Sequence, residues 1–332
     1  MVDEGVRAGH EVTVFNRGRS GVLPAGVRVV HGDRTVRADL DRLAEAGSWD
    51  AVLDVPGVIP AQVRDAARAL RGAVDRYVFV STVSAYRDWP AEPVSEQSQL
   101  RDADPDSDPT DWTWGTGVYG PLKAGAEGAL RREYPAELVT IVRPGVILGP
   151  GEYGGRLTWW LARAARGGQI LAPGQPGDPV RPIDVRDVAA FLVHLVVTGQ
   201  GGAFNVSGPA GRDTYGGLVD GCLHVTASDG TPVWIDSAWL VERGVRQWTG
   251  IPMWRTAAGT WAIDTTRAEH AGLACRPLLD TVTDTWVWLR AGGEPVAQER
   301  RALHGLDPER EGALLAEWRL SGRAAAPAAE PR

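Results

Sequence analysis

R-Y-V-F-V-S-T, residues Arg76–Thr82, is the stretch on which the fold turns. Its centre, Tyr77–Val80, is apolar and aromatic without a break, the pattern of a strand covered on both faces. Such strands belong to parallel sheets, whose crossover helices lie on either side. Before it stand three more strand-like runs: E-V-T-V-F-N (Glu11–Asn16), V-R-V-V-H-G-D (Val27–Asp33) and A-V-L-D-V-P (Ala51–Pro56). A helix over Pro60–Arg71, a helix over Tyr119–Tyr134 and the strand L-V-T-I-V-R-P (Leu138–Pro144) continue the alternation. Beyond these the pattern predicts a helix over Arg156–Arg166, strands Gln169–Ala172 and Val180–Asp184, and a helix over Val185–Val197. F-N-V-S-G (Phe204–Gly208) reads as the last parallel strand. The fold class is α/β: a doubly wound parallel sheet with a smaller α+β C-terminal lobe, rich in Trp, that walls a cleft.

Composition narrows the functional classes. The chain has 332 residues, 43% hydrophobic and 23% charged, with a net charge of −7. No basic field invites nucleic acid or anionic lipid. Its two cysteines make no disulfide framework and no C-x-x-C, so no metal site is expected and a cytoplasmic setting fits. The longest apolar stretch, near Val188–Val197, is too short to span a bilayer. Ser95–Pro109 is polar, acidic and proline-punctuated, and reads as a solvated excursion or a substrate cover.

M-V-D-E-G-V-R-A-G-H reads as the second half of a helix ending at Gly9. A doubly wound dinucleotide fold opens one strand earlier, with a glycine-rich turn feeding that helix. The expectation is therefore an N-terminally incomplete sheet, from a start placed downstream or a truncated product. The absent strand is a central one, so two strand edges are left unpaired.

Of the 35 basic residues, 34 are Arg and one is Lys, in Y-G-P-L-K (Tyr119–Lys123). Tyr119 and Lys123 are four apart and share a helix face. Pro121 is tolerated in the first turn. A phenol ordinarily titrates near ~10, too high for acid–base work at neutral pH, and a neighbouring ammonium lowers that value. Arginine is planar and does not give up its proton, so it is no substitute. The strand end S-T-V-S-A-Y (Ser81–Tyr86) offers Ser81, Thr82 and Ser84 as hydroxyls to hold a substrate oxygen, because such sheets bind ligands at their carboxyl ends.

F-V-S-T-V-S-A-Y, Y-G-P-L-K-A, I-V-R-P-G-V-I-L-G-P-G and I-D-V-R-D-V-A occur in this order. Together they resemble the NAD(P)-dependent epimerase/dehydratase family, the extended branch of the short-chain dehydrogenase/reductases, over roughly Val6 to Gly293. The resemblance implies a Rossmann-like dinucleotide-binding domain over 1–149, to which the strands near 180–184 and 204–208 return. It implies a substrate lobe over 150–300, then a C-terminal helix and disordered tail over 301–332. Tyr119 becomes the catalytic acid/base, Lys123 its partner and ribose ligand, and Thr82 the substrate-orienting hydroxyl, with Ser84 as fallback. Pro144, Gly145 and Val146 approach the nicotinamide.

Two departures stand out. The glycine turn is missing, and the arginine that nucleotide-sugar members carry seven residues before the Asp of V-x-D-x-A is here Val180, with Arg181 one step late. One step along a strand reverses a side chain, so recognition of a sugar-nucleotide pyrophosphate is not supported. At the adenosine end the expected contacts are Asn16 and Arg17, with Arg19 near, and Asp33 and Arg34 after the next strand. Arginine in place of an acidic residue suits a 2′-phosphate, so NADP(H) is favoured over NAD(H). The expected activity is an oxidoreductase or epimerase acting on a small carbonyl or sugar-like molecule. A homodimer through helices equivalent to Pro60–Arg71 and Tyr119–Tyr134 is the implied assembly. The alternatives are an RNA-binding protein like the chloroplast stem-loop-binding proteins, against which net acidity argues, and an inactive truncated product.

Overall fold

The computed structural model describes residues 1–19, 23–109, 111–112, 117–294 and 304–322. In chain order α1 (Val2–Arg7), β1 (Thr13–Asn16), β2 (Arg28–His31), α2 (Arg37–Glu45) and β3 (Trp49–Asp54) come first. They are followed by α3 (Pro60–Leu70), β4 (Val74–Val80), α4 (Tyr119–Glu133) and β5 (Val139–Pro144). Next come β6 (Ile147–Leu148), α5 (Arg156–Ala165), β7 (Gln169–Pro173), β8 (Ile183–Asp184), α6 (Val185–Val197) and β9 (Gly202–Val206). The chain continues with α7 (Tyr215–Val225), β10 (Thr231–Ile235), α8 (Ser237–Glu242), β11 (Gln247–Trp248) and β12 (Ile251–Pro252). It closes with α9 (Thr266–His270), α10 (Leu278–Arg290) and α11 (Pro308–Leu320).

Two compact units result. One holds Met1–Val146, Val185–Ser207 and Ala258–Cys275; the other holds Ile147–Asp184, Gly208–Ala257 and Arg276–Arg332. The first unit thus takes back two later segments, the first of which carries β9. The tail expected after Gly322 lies outside the described residues.

In the first unit β3-β4-β5-β9 form one parallel sheet, while β1 and β2 pair in parallel by themselves. Among the described residues β1 has β2 as its one strand neighbour and β3 has β4, so each keeps an open edge. β4 is central, and Tyr77–Val80 are all buried, as an apolar run flanked by layers should be. On one face Tyr77 and Phe79 pack with Val63, Ala67 and Leu70 of α3 and Ala126 and Leu130 of α4. Pro60 opens α3 at a position where its missing N–H costs nothing. At the other end of the unit Gly9, with φ +83°, turns the chain out of α1 into β1.

One expectation needs correction. The run Val180–Asp184 does not extend the main sheet: only Ile183–Asp184 is strand, and it pairs with β6 in the second unit. Pro182 has no N–H to donate to a ladder, which cuts the strand short. Ser95–Pro109 runs exposed or half-buried and is tied down at several points. Arg87 N donates to Gln99 O, Arg101 N to Ala85 O, and the Arg101 guanidinium to Ser84 O and Trp89 O, stitching the loop to the turn after β4. An arginine reaching two carbonyls in a loop is a tertiary feature that local composition does not carry.

The second unit pairs β7 with β10 and packs α5, α7 and α10 around an aromatic core. Trp160 meets Tyr215 edge-on, ring centres 5.6 Å apart, and both donate to Pro252 O. Trp239 and Trp254 are buried, while Trp234 and Trp248 are half-buried. Glu311 fastens α11 to the sheet: its carboxylate accepts from Arg163 Nε at 2.8 Å and from Leu171 N at 3.1 Å. Removing one partner of a buried pair costs about 3–5 kcal/mol. Glu311→Ala is therefore expected to lower the urea midpoint of unfolding of this unit; a midpoint equal to the parent's contradicts the clamp.

Candidate active site

The carboxyl end of β4 and the first turns of α4 meet. Ser81 N donates to Val142 O at 2.7 Å, carrying the ladder one residue past β4. Thr82 then turns the chain: its Oγ1 accepts from Ser84 N at 3.1 Å and caps the short 3-10 turn Val83–Ala85. Its O–H stays available as a donor. α4 begins directly against this turn, because Gly120 has no side chain; a Cβ there would collide with Ser84 O. Tyr119, half-buried, is the first residue of α4.

Lys123 lies one turn further and is 2% exposed. Its ammonium donates to Gly57 O and Val80 O, each at 2.6 Å, and sits 4.6 Å from the centre of the Phe79 ring. Burial brings its pKa down to about 8; Arg34 adds to the fall, while Asp54 and Glu127 oppose it. Gly57 is glycine for want of room, since a Cβ would lie 2.8 Å from Val63 Cγ2 and 2.9 Å from Asp54 Oδ2.

Asp54 supports this seat. Its Oδ1 accepts from Gly57 N at 3.0 Å, both its oxygens accept from Arg34 at 2.8 Å, and Tyr77 Oη donates to Oδ2 at 2.8 Å. Burial pushes the Asp54 carboxyl up, but Arg34, Tyr77 and Lys123 outweigh it and leave the group below its usual range. No local pattern marks Asp54 in the sequence, because its partners lie 20 and 23 positions away.

The residues expected at the adenosine end gather at the carboxyl ends of β1 and β2. Asn16 Oδ1 accepts from Gly18 N at 2.8 Å, and Asp33 Oδ1 accepts from Thr35 N and Oγ1. Asp33 lies 3.8 Å from Arg17, and the two Thr35 bonds, then Arg17 and Arg19, hold its carboxyl below the usual range against a small desolvation. Arg34, next in the chain, gives its guanidinium to Asp54. Pro144 ends β5, and Gly145 N donates to Val206 O at 2.9 Å, pinning Pro144–Val146 to β9.

Two polar residues went unrecognised in the sequence, Glu127 and Arg143. Glu127 is again four residues on, on the Tyr119–Lys123 face, in the small-residue run A-G-A-E-G-A; a lone carboxylate there was the available signal. Both are buried and paired with each other. Among the described residues no cluster of His, Cys, Asp or Glu could hold a metal ion, and no helix is long and apolar enough to cross a membrane.

Comparison with known proteins places this geometry. The family model described as the NAD-dependent epimerase/dehydratase family matches residues 1–207. The 2′-dehydrokanamycin reductase of Streptomyces kanamyceticus is 31% identical over 196 residues, which are 57% of this chain. The match spans about half of that protein, 52% of its length. Among solved structures, the Bordetella bronchiseptica enzyme WbmG in complex with NAD and UDP is similar at a TM-score of 0.62 and 18% identity, over 89% of this chain and 91% of that one. The UDP-glucose 4-epimerase of Thermotoga maritima with UDP-glucose gives 0.62 at 18%, over 88% and 95%. At these identities the structures show a shared fold.

The lysine seat has a thermodynamic signature. A pKa moved from 10.5 to about 8 corresponds to about 3 kcal/mol, at ~1.4 kcal/mol per unit. The folded state binds this proton more weakly than the unfolded chain, so the cost is fully present below pH 8 and vanishes as pH rises past 10.5. The stability difference between the parent and Lys123→Met is expected to shift by about 3 kcal/mol in the parent's favour across that window. Denaturant unfolding at a series of pH values reads it; a flat difference contradicts the seat.

Proposed function

The chain belongs to the NAD-dependent epimerase/dehydratase family, and from that premise we propose that it is an NADP(H)-using oxidoreductase or epimerase with Tyr119, Lys123 and Thr82 as its acid–base centre. The observation that carries the reading is the buried Lys123 ammonium, anchored at the end of β4 one turn below Tyr119.

The residues present fit a dinucleotide at two places. Asn16, Arg17 and Asp33 stand together at the ends of β1 and β2 and would hold the adenosine end, where Arg17 suits a 2′-phosphate. Lys123 would hold the nicotinamide ribose, and Pro144, Gly145 and Val146 would flank the ring. The Ser81 hydroxyl, one residue past the end of β4, is buried without a hydrogen-bond partner among the described residues and is a further polar group that a ligand there could satisfy. When bound, the nicotinamide supplies or takes up the hydride.

The protein's own groups handle the proton. In the reducing direction Tyr119 Oη gives its proton to the substrate oxygen, and the Thr82 hydroxyl donates a hydrogen bond to the same oxygen. The Lys123 ammonium favours the phenolate that results, which regains a proton from water. In the oxidising direction the phenolate removes the hydroxyl proton. The substrate class is a ketone or secondary alcohol on a small or sugar-like molecule. The similarity to a protein named for reducing 2′-dehydrokanamycin favours an amino-sugar ketone, and a net charge of −7 suits a cationic substrate.

NADPH is expected to raise the melting temperature and to show enhanced fluorescence on binding, more strongly than NADH. Arg17→Ala should weaken NADPH by about tenfold, the worth of one charge-assisted contact, and NADH little. Tyr119→Phe should lose about 10²-fold or more in turnover of a ketone panel while cofactor affinity holds within about twofold. Equal loss of both cofactors in Arg17→Ala, or full turnover in Tyr119→Phe, contradicts the assignment.

A further inference from the structure

The three pieces of the proposed centre come from separate segments: α4, the turn after β4, and the Pro144–Val146 segment after β5. One buried polar network touches all three. Arg143, immediately before Pro144 and 2% exposed, gives Nε and Nη2 to the two oxygens of Glu127, at 2.9 and 2.6 Å. Glu127, 0% exposed, is the residue one turn beyond Lys123 on α4. Arg143 Nη1 donates to Tyr86 Oη at 2.8 Å, and Tyr86, four residues after Thr82, closes the 3-10 turn. Tyr86 Oη in turn donates to Asn205 Oδ1 on β9 at 2.7 Å. Asn205 is itself held, Nδ2 to Asp264 O at 3.1 Å and N to Glu96 Oε1 at 2.8 Å.

We infer that Glu127, Arg143 and Tyr86 are positioning residues, which lock α4 in the one register that seats Lys123 between Gly57 O and Val80 O and so presents Tyr119 at the end of β4. A buried ion pair is weak as a source of stability, because apolar residues of similar size replace it at little cost. Its value is directional. The planar fork of Arg143 accepts one orientation of the Glu127 carboxylate, and a one-residue slip of α4 would move Glu127 by about 1.5 Å and 100°. Each of the three elements meets the network within four residues of the group it supplies. The Arg143 charge is opposed by burial, but Glu127 and Tyr86 outweigh it and hold its pKa above the usual value, so the fork stays charged.

The inference rests on the proposed acid–base centre for its meaning, but its test needs neither cofactor nor substrate. With one lysine in the chain, ¹⁵N-lysine labelling yields a single ammonium resonance whose titration reports on Lys123 alone. The charged groups facing that ammonium are Asp54 on β3, Arg34 after β2 and Glu127 on its own helix. In Glu127→Met/Arg143→Met no buried charge is orphaned, and losing the carboxylate can by itself only lower the Lys123 pKa. Release from the seat raises it. The double variant is expected to titrate at least one unit above the parent's value of about 8, toward 10.5, and Tyr86→Phe to shift in the same direction by less. Tyr86→Phe decides the matter if the double variant does not fold. A folded variant titrating at or below the parent's value overturns the inference and leaves the network a structural one. Failure of the parent to bind NADPH would bear on the proposed function and leave this titration readable.

Discussion

A single buried ammonium organises the first unit. Lys123 is taken out of water and given two main-chain carbonyls and an aromatic face in exchange. That exchange is incomplete, since the pKa falls to about 8. At neutral pH it is charged, yet close to its titration point. Arginine in the same place would stay charged at every physiological pH and, as a planar fork, would not fit between two converging carbonyls. A chain that uses arginine at its other 34 basic positions keeps lysine at this one.

The constraint spreads through close packing. Gly57 offers its carbonyl only because nothing on its Cα blocks Val63, Phe79 or Asp54, and Asp54 fixes the loop by accepting the Gly57 amide. Gly120 lets the start of α4 rest on the Ser84 carbonyl. The two glycines act on opposite sides of the same seat: one brings an acceptor in, the other brings the helix down. Arg34 and Tyr77 complete the Asp54 carboxylate, so a residue after β2 and one on β4 brace the loop that carries Gly57.

Much of this was legible in the sequence because it is local. The buried run Tyr77–Val80, the proline-opened helix at Tyr119 and the four-residue step to Lys123 each carry their own signature. Among the described residues β1 pairs with β2 alone and β3 with β4 alone. What stayed hidden joins distant positions: Arg34 with Asp54 across 20 residues, Tyr86 with Asn205 across 119. No periodicity marks such a pair. The run Val180–Asp184 misled for the opposite reason, since its β-branched Val180 and Ile183 resemble a core strand while Pro182 removes the donor that a long ladder needs.

The most direct measurement of the central claim is competitive amine labelling of the folded protein, read by mass spectrometry. Only two amines exist in the chain, the N-terminus and Lys123. The account predicts that an acylating reagent modifies the N-terminus at the rate of a free amine while Lys123 reacts only on unfolding, its nitrogen buried and held by Gly57 O and Val80 O. Lys123 labelled in the native protein as fast as the terminus would contradict it.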